Sequence, residues 1–226
     1  MRSRQSGFTL VEIAIVLVII GLLLGGVLKG QELINSAKIK NLANDLNGVS
    51  TAVYAYQDRY RALPGDDPGA VARWTLGAAD TSATPGTGKV EGAFNDNVST
   101  TEPVIFWLHL RKAGLVSGDP TSGVQPQNAA GGVLGIQSDI GPAGTVGLGG
   151  LVACHTNVSG RLAEALDRQL DDGNPAGGSV RAWIQGTSAA PVLIGLVAAG
   201  TAITVAPSTT FVDDGTTLYT VCKTIL

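Results

Sequence analysis

The sequence predicts an α+β protein: a long N-terminal helix, apolar in its first half and amphipathic in its second, packed on a mainly antiparallel β-sheet head. Three observations predict it. All ten prolines lie at Pro64 or later, and 25 of the 31 glycines follow Tyr60. The first sixty residues can therefore run as unbroken helix, while the rest is turn-rich. Within those sixty residues, a continuous apolar run gives way to a stripe of apolar residues at helical spacing. The last third carries four β-prone runs, Val180–Gln185, Val192–Val197, Thr201–Val205 and Thr217–Leu226, which make the sheet.

The chain opens with a short polar segment of seven residues carrying Arg2 and Arg4. Phe8–Leu28 follows, 21 residues with one charge, Glu12. As a helix this segment is about 31 Å long, matching a bilayer core of about 30 Å. The two arginines before it favour a cytoplasmic start and an exported C-terminus. An ordinary secretory signal has a shorter apolar stretch followed by a small-residue cleavage site, a poor match here. A plain membrane anchor fits the length but has no use for Glu12. An unpaired carboxylate costs about 2–3 kcal/mol at the bilayer centre, although near the interface it can snorkel.

Ile39, Leu42, Leu46, Val49, Val53, Tyr56 and Tyr60 continue at spacings of 3, 4, 3, 4, 3 and 4, one apolar face of a helix. A coiled coil would use such a stripe; packing on the chain's own head is the simpler expectation. The helix over Phe8–Arg61 would span about 81 Å and stop at Leu63-Pro64-Gly65-Asp66-Asp67-Pro68-Gly69. In the head, Gly77–Gly92 reads as an irregular loop and Glu102–Gly114 as a short helix with Pro103 in its first turn. Ser117–Gly150 reads as loop or short strand. Ser159 is placed to cap a helix carrying Leu162, Leu166 and Leu170 on one face, ended by Asp171–Pro175.

Composition narrows the function. Fifteen Lys plus Arg against eighteen Asp plus Glu give a net charge of −3, which excludes a generally basic nucleic-acid binder. No basic patch with interleaved aromatics appears, so no nucleic-acid partner is expected. Two cysteines and two histidines leave little for a zinc centre. Gly186-Thr187-Ser188-Ala189-Ala190-Pro191 is superficially similar to the nucleophile segment of subtilisin-like proteases but is one residue short. It also lacks the companion Asp and His motifs, so Ser188 reads as part of a turn and no enzyme activity is expected. Gly86-Thr87-Gly88-Lys89 has the wrong spacing for a phosphate loop. Asp167 with Asp171 and Asp172, Asp66 with Asp67, and Asp213 with Asp214 can each offer oxygens to Ca²⁺. None matches the alternating calcium-loop pattern, so acidic turns are the stronger reading and no cofactor is expected. Trp74, Trp107 and Trp183 read as core anchors.

Gly7-Phe8-Thr9-Leu10-Val11-Glu12, after a short basic leader and before an apolar run, resembles the class III signal of type IV prepilins and type II secretion pseudopilins. The resemblance implies a leader at 1–7, a transmembrane and assembly helix at 8–28, the amphipathic half of the same helix at 29–61, and a globular head at 62–226. It implies cleavage between Gly7 and Phe8 by a prepilin peptidase, N-methylation of Phe8, and pairing of Glu12 with the terminal amine of a neighbouring subunit. A charge buried in an apolar filament core needs such an opposite charge beside it. The implied partners are other pilin or pseudopilin subunits and an inner-membrane assembly platform. The implied location is the bacterial inner membrane, single-pass with a cytoplasmic N-terminus, then a surface filament or a periplasmic pseudopilus. Many relatives carry a proline where this chain has Lys29.

Cys154 and Cys222 are the only cysteines. Once exported they meet an oxidising space and can pair, and many pilins carry a comparable C-terminal disulfide loop; two free buried thiols are the alternative. Some pseudopilins hold calcium in a C-terminal loop, which keeps Ca²⁺ open for the acidic turns. The expected function is a structural subunit, a minor or specialised pilin, since the mature chain is longer than many major pilins. A pseudopilin of a type II secretion system is the alternative.

Overall fold

Helix α1 runs from Leu10 to Tyr60, 51 residues without a break. It ends where Arg61 takes a left-handed backbone (φ 57°), three residues before Pro64. The computed structural model describes residues 9–77, 82, 84–140, 147–187, 190–191 and 207–226. The chain divides into two units, Met1–Lys38 and Ile39–Leu226.

In the second unit α1 is followed by α2 (Ala70–Trp74), α3 (Glu102–Lys112), β1 (Leu134–Ile140), β2 (Leu148–Ser159), α4 (Gly160–Leu170), β3 (Val180–Thr187), β4 (Ala190–Pro191) and β5 (Thr217–Thr224). The strands form one sheet in the order β1-β2-β5-β3-β4, antiparallel throughout. This is an α+β chain with a pilin-like layout: a long N-terminal helix and an antiparallel sheet. The runs Val192–Val197 and Thr201–Val205 lie outside the described residues.

The stripe on α1 is absorbed by the unit's own core. Leu46, Val49, Val53 and Tyr56 pack with Phe106, Trp107 and Leu110 of α3 and with Leu134, Ile136, Leu151 and Ala153 of β1 and β2. Leu42 and Ala43 pack with Leu162, Ala163 and Leu166 of α4 and with Val180, Ala182, Tyr219 and Val221 of β3 and β5. A third cluster holds Phe94, Ile140, Leu148, Val152, Cys154, Trp183 and Cys222. Successive strand residues point to opposite faces: Leu151 and Ala153 join the cluster with α1, while Val152 and Cys154 join the third. The sheet is therefore covered on both sides, and β2 is buried almost throughout.

Ser159 does occupy the N-cap position of α4, but its side chain makes no capping bond. The residue still belongs to β2, paired with Leu218 of β5. Gly160 opens the helix because a Cβ there would collide with the Val212 carbonyl.

Candidate functional site

The N-terminal face of α1 is built from the residues the sequence singled out. From Leu10 to Leu28 the large apolar side chains are exposed, including Leu10, Leu17, Leu22 and Leu28. The helix is long and apolar enough to cross a membrane. Glu12 is the only charged side chain on this stretch. Its Oε2 accepts two hydrogen bonds from Thr9, from the backbone N–H and from the hydroxyl, both at 2.8 Å. The Glu12 N–H donates back to the Thr9 hydroxyl at 3.3 Å. Thr9 precedes the first helical residue, so the pair forms a reciprocal cap that occupies two of the otherwise unpaired N–H groups at the helix start. The sequence reading gave Thr9 no role. The signal was present: Thr-x-x-Glu ahead of an apolar run is the pattern of such a cap. Gly7 and Phe8 lie outside the described residues.

In the second unit Cys154 and Cys222 face one another across β2 and β5 and form a disulfide with a sequence separation of 68 residues. It sits in the core cluster on the sheet face opposite Ala153, buried from solvent.

The remaining chemistry-bearing residues separate into distinct environments. Ser188 lies outside the described residues. His155 is buried, with Nε2 bonded to the Leu42 carbonyl at 3.0 Å, and burial pushes it down to about 4. His109 is stacked on Tyr56 and accepts the Gly65 N–H at Nδ1, 3.0 Å; burial pushes it down to about 4 as well. Each ring is therefore neutral with its proton on Nε2. Trp107 and Trp183 are fully buried. Trp74 is part-buried and lies edge-on to Tyr60.

In the two acidic pairs, carboxylates are occupied by the protein's own donors. Asp66 holds the segment Gly86–Gly88 by accepting the N–H groups of Gly86, Thr87 (2.9 Å) and Gly88 (2.6 Å). Asp67 accepts the Tyr56 hydroxyl and an Arg73 N–H, both at 2.7 Å. Burial works against the Asp67 charge, and these bonds outweigh it, so its carboxyl lies below the usual range. Asp214 accepts the N–H groups of Thr216 and Thr217 and closes a turn. In the third group, carboxylate oxygens of Asp167, Asp171 and Asp172 lie within 4.8 Å of one another, and Asp171 and Asp172 accept the N–H groups of Ser179, Val180 and Asn174.

Residues 2–28 match the family model of the prokaryotic N-terminal methylation motif. The chain therefore carries the amino-terminal signal of type IV pilins and pseudopilins. That signal supports a pilin or pseudopilin subunit. It implies processing by a prepilin peptidase and assembly with other pilin subunits, and with the apolar helix it indicates a membrane-anchored protein. The family of the motif is structural rather than enzymatic. No curated protein and no solved structure matches the chain.

Proposed function

We propose that this chain is a minor or specialised subunit of a type IV pilus-like filament. On this reading it is stored in the inner membrane with its N-terminus cytoplasmic and its head exported. Prepilin peptidase cuts between Gly7 and Phe8, Phe8 is N-methylated, and the assembly platform adds the subunit to the filament base. The observation that carries the proposal is the methylation motif over residues 2–28, continued by a helix whose apolar face is exposed around a single carboxylate.

The physics of that carboxylate gives the assembly step. An exposed apolar helix leaves lipid only when other apolar helices replace the lipid around it. Bundling then places Glu12 in a dry, low-dielectric environment, where an unpaired charge is costly. Leader removal creates a cationic amine at Phe8 on every copy, and the amine of one copy neutralises Glu12 of the next. In the uncut chain the Thr9 cap occupies Oε2 and holds the carboxylate at the helix start.

Co-expression with a prepilin peptidase, followed by N-terminal sequencing and mass determination, tests the processing step. The expected mature chain begins at methylated Phe8; assembled material that retains Met1 overturns the proposal. Glu12→Ala should leave membrane insertion intact and abolish recovery of the subunit in sheared filaments. Normal incorporation of that variant contradicts the pairing. The pseudopilin reading is separated by deleting the gene: loss of surface filaments supports a pilus subunit, and loss of secreted enzymes with filaments intact supports a secretion pseudopilus.

A further inference from the structure

A cleft of about 560 Å³ opens in the head between the loop 95–99 ahead of α3, the segment 123–133 ahead of β1, and the strand positions Thr156, Asn157 and Gln185. That volume falls in the roughly 300–1,000 Å³ range of small-ligand sites. One wall is made by two strand irregularities. The β2–β5 register shifts between His155 and Val158, and the β3–β5 register shifts between Ile184 and Gly186. Asn157 takes a left-handed backbone (φ 61°), which is uncommon for a residue other than glycine. Gln185 locks the two irregularities together. Its Oε1 accepts the Asn157 N–H and its Nε2 donates to Asn157 Oδ1, both at 2.8 Å. Bulges of this kind are over-represented next to active sites, where they re-aim a side chain.

The lining is amide and hydroxyl chemistry. Six of its residues are asparagine or glutamine, and Asp96 is the one charged residue; among the described residues no lysine, arginine or histidine lines it. Asn95 is the telling member. Its carboxamide is shut off from water, yet neither the nitrogen nor the oxygen has a hydrogen-bond partner. Buried polar atoms are almost always paired. No bond holds this amide in place, so it turns towards a ligand without giving one up. The side chains of Asn97, Ser99 and Gln127 also carry no hydrogen bond among the described residues. Val104, Val124 and Val133 add apolar patches to the same cleft.

We propose that this cleft binds a short neutral saccharide. A carboxamide offers a donor and an acceptor side by side, and a sugar hydroxyl both donates and accepts, so one amide engages neighbouring ring hydroxyls as a pair. The valines suit the C–H faces of a sugar ring. An anionic ligand, whether phosphorylated, sulfated or carboxylated, would find no cation here and would meet the Asp96 charge. An extended peptide fits less well. Its main chain would add to a free strand edge, and the backbone here is already used in the Gln127–Val133 bridge. No aromatic residue lines the cleft to anchor a peptide side chain. The site is the same whether the chain serves a pilus or a secretion pseudopilus.

The test uses the full chain in a detergent without a sugar headgroup. Retention is scored on an array of immobilised neutral mono- to trisaccharides, among them maltotriose, chitotriose and N-acetyllactosamine. Sialyllactose and sulfated heparin fragments form the anionic arm, and neutral extended peptides the third. The best-retained sugar is then titrated by calorimetry. At least one neutral sugar should bind, one per chain, with an affinity that salt changes less than about twofold. Asn95→Ala should weaken that binding about tenfold and leave the thermal midpoint no lower than the wild type, because the amide it removes bonds to nothing. Gln127→Ala, at an exposed position, should fold normally and weaken the same sugar several-fold. Failure to retain any neutral sugar, a preference for the anionic sugars or the peptides, or an undiminished affinity in both variants overturns the proposal.

Discussion

His155 shows how one side chain ties acid sensitivity to the fold. Both His155 and His109 are buried and neutral, with pKa values near 4, against about 6.5 in the unfolded chain. The unfolded chain binds the extra protons between those values, so stability is complete above about pH 6.5 and falls as the pH drops towards 4. The slope is about 1.4 kcal/mol per pH unit for each ring. Asp167 has the opposite sign. Chiefly through burial, against a backbone hydrogen bond from Gly173 and with the charges of Asp171 and Asp172 adding to it, it is pushed up to about 6. It therefore adds stability as the pH falls through that value. Asp45 and Glu102, raised by burial, act with Asp167, while the lowered carboxyls of Asp67 and Asp139 act with the two rings to weaken the fold in acid. Urea midpoints measured from pH 7.5 to 4.5 should fall steadily for the wild type and clearly less steeply for His155→Gln. Parallel profiles would place the acid sensitivity elsewhere. At this scale the sequence was informative where chemistry is local. Glu12 stood out because it is alone among apolar neighbours. Asp167 was visible as an acid but not as a buried one, because its burial comes from the packing of α4 against β3 and β5.

Among the elements, those with a strong internal period were legible. α1 follows from its proline-free stripe, α3 from Pro103 and its basic last turn, and β3 and β5 from their β-branched residues. The continuity of α1 through Lys29 is a finding in its own right. Gly21, Gly25, Gly26 and Gly30 all lie inside the helix with no side chain or distant backbone within 4 Å, so their effect is confined to helix propensity. β1 was legible only as loop or short strand because Gly135 interrupts its pattern, and the reason for that glycine lies elsewhere in the chain: a Cβ there would strike the Phe94 carbonyl. α2 is only five residues long, too short to show a period. The β2–β5 pair carries the disulfide, and closing a loop of 68 residues contributes about 4 kcal/mol in the chain-entropy picture. Reduction, or Cys154→Ala with Cys222→Ala, should lower the urea midpoint of the head and expose β5 to proteases before α1. Identical digestion with and without reductant would leave the bridge without a stabilising role.

For the whole molecule, the two units differ in what they need from their surroundings. The core of Ile39–Leu226 is satisfied internally, whereas the large apolar side chains of α1 from Leu10 to Leu28 are exposed. A chain that begins at Gln31 should therefore remain soluble and monomeric by sedimentation without detergent, while the full chain requires it. Aggregation of the shortened chain would mean that the head has a second apolar surface to satisfy. The sequence conveyed the division of labour between anchor and head but not the strand order, because partners far apart in the chain leave no local pattern. That order has a further consequence. β5, which follows the other described strands in the chain, lies in the middle of the sheet between β2 and β3. β2 and β3 therefore lack their shared partner until β5 arrives. A polypeptide emerging in stages, from a ribosome or through a translocation channel, thus keeps an unfinished sheet until β5 is free. A nascent chain stalled before Thr217 would lack the strand that joins the two sides of the sheet.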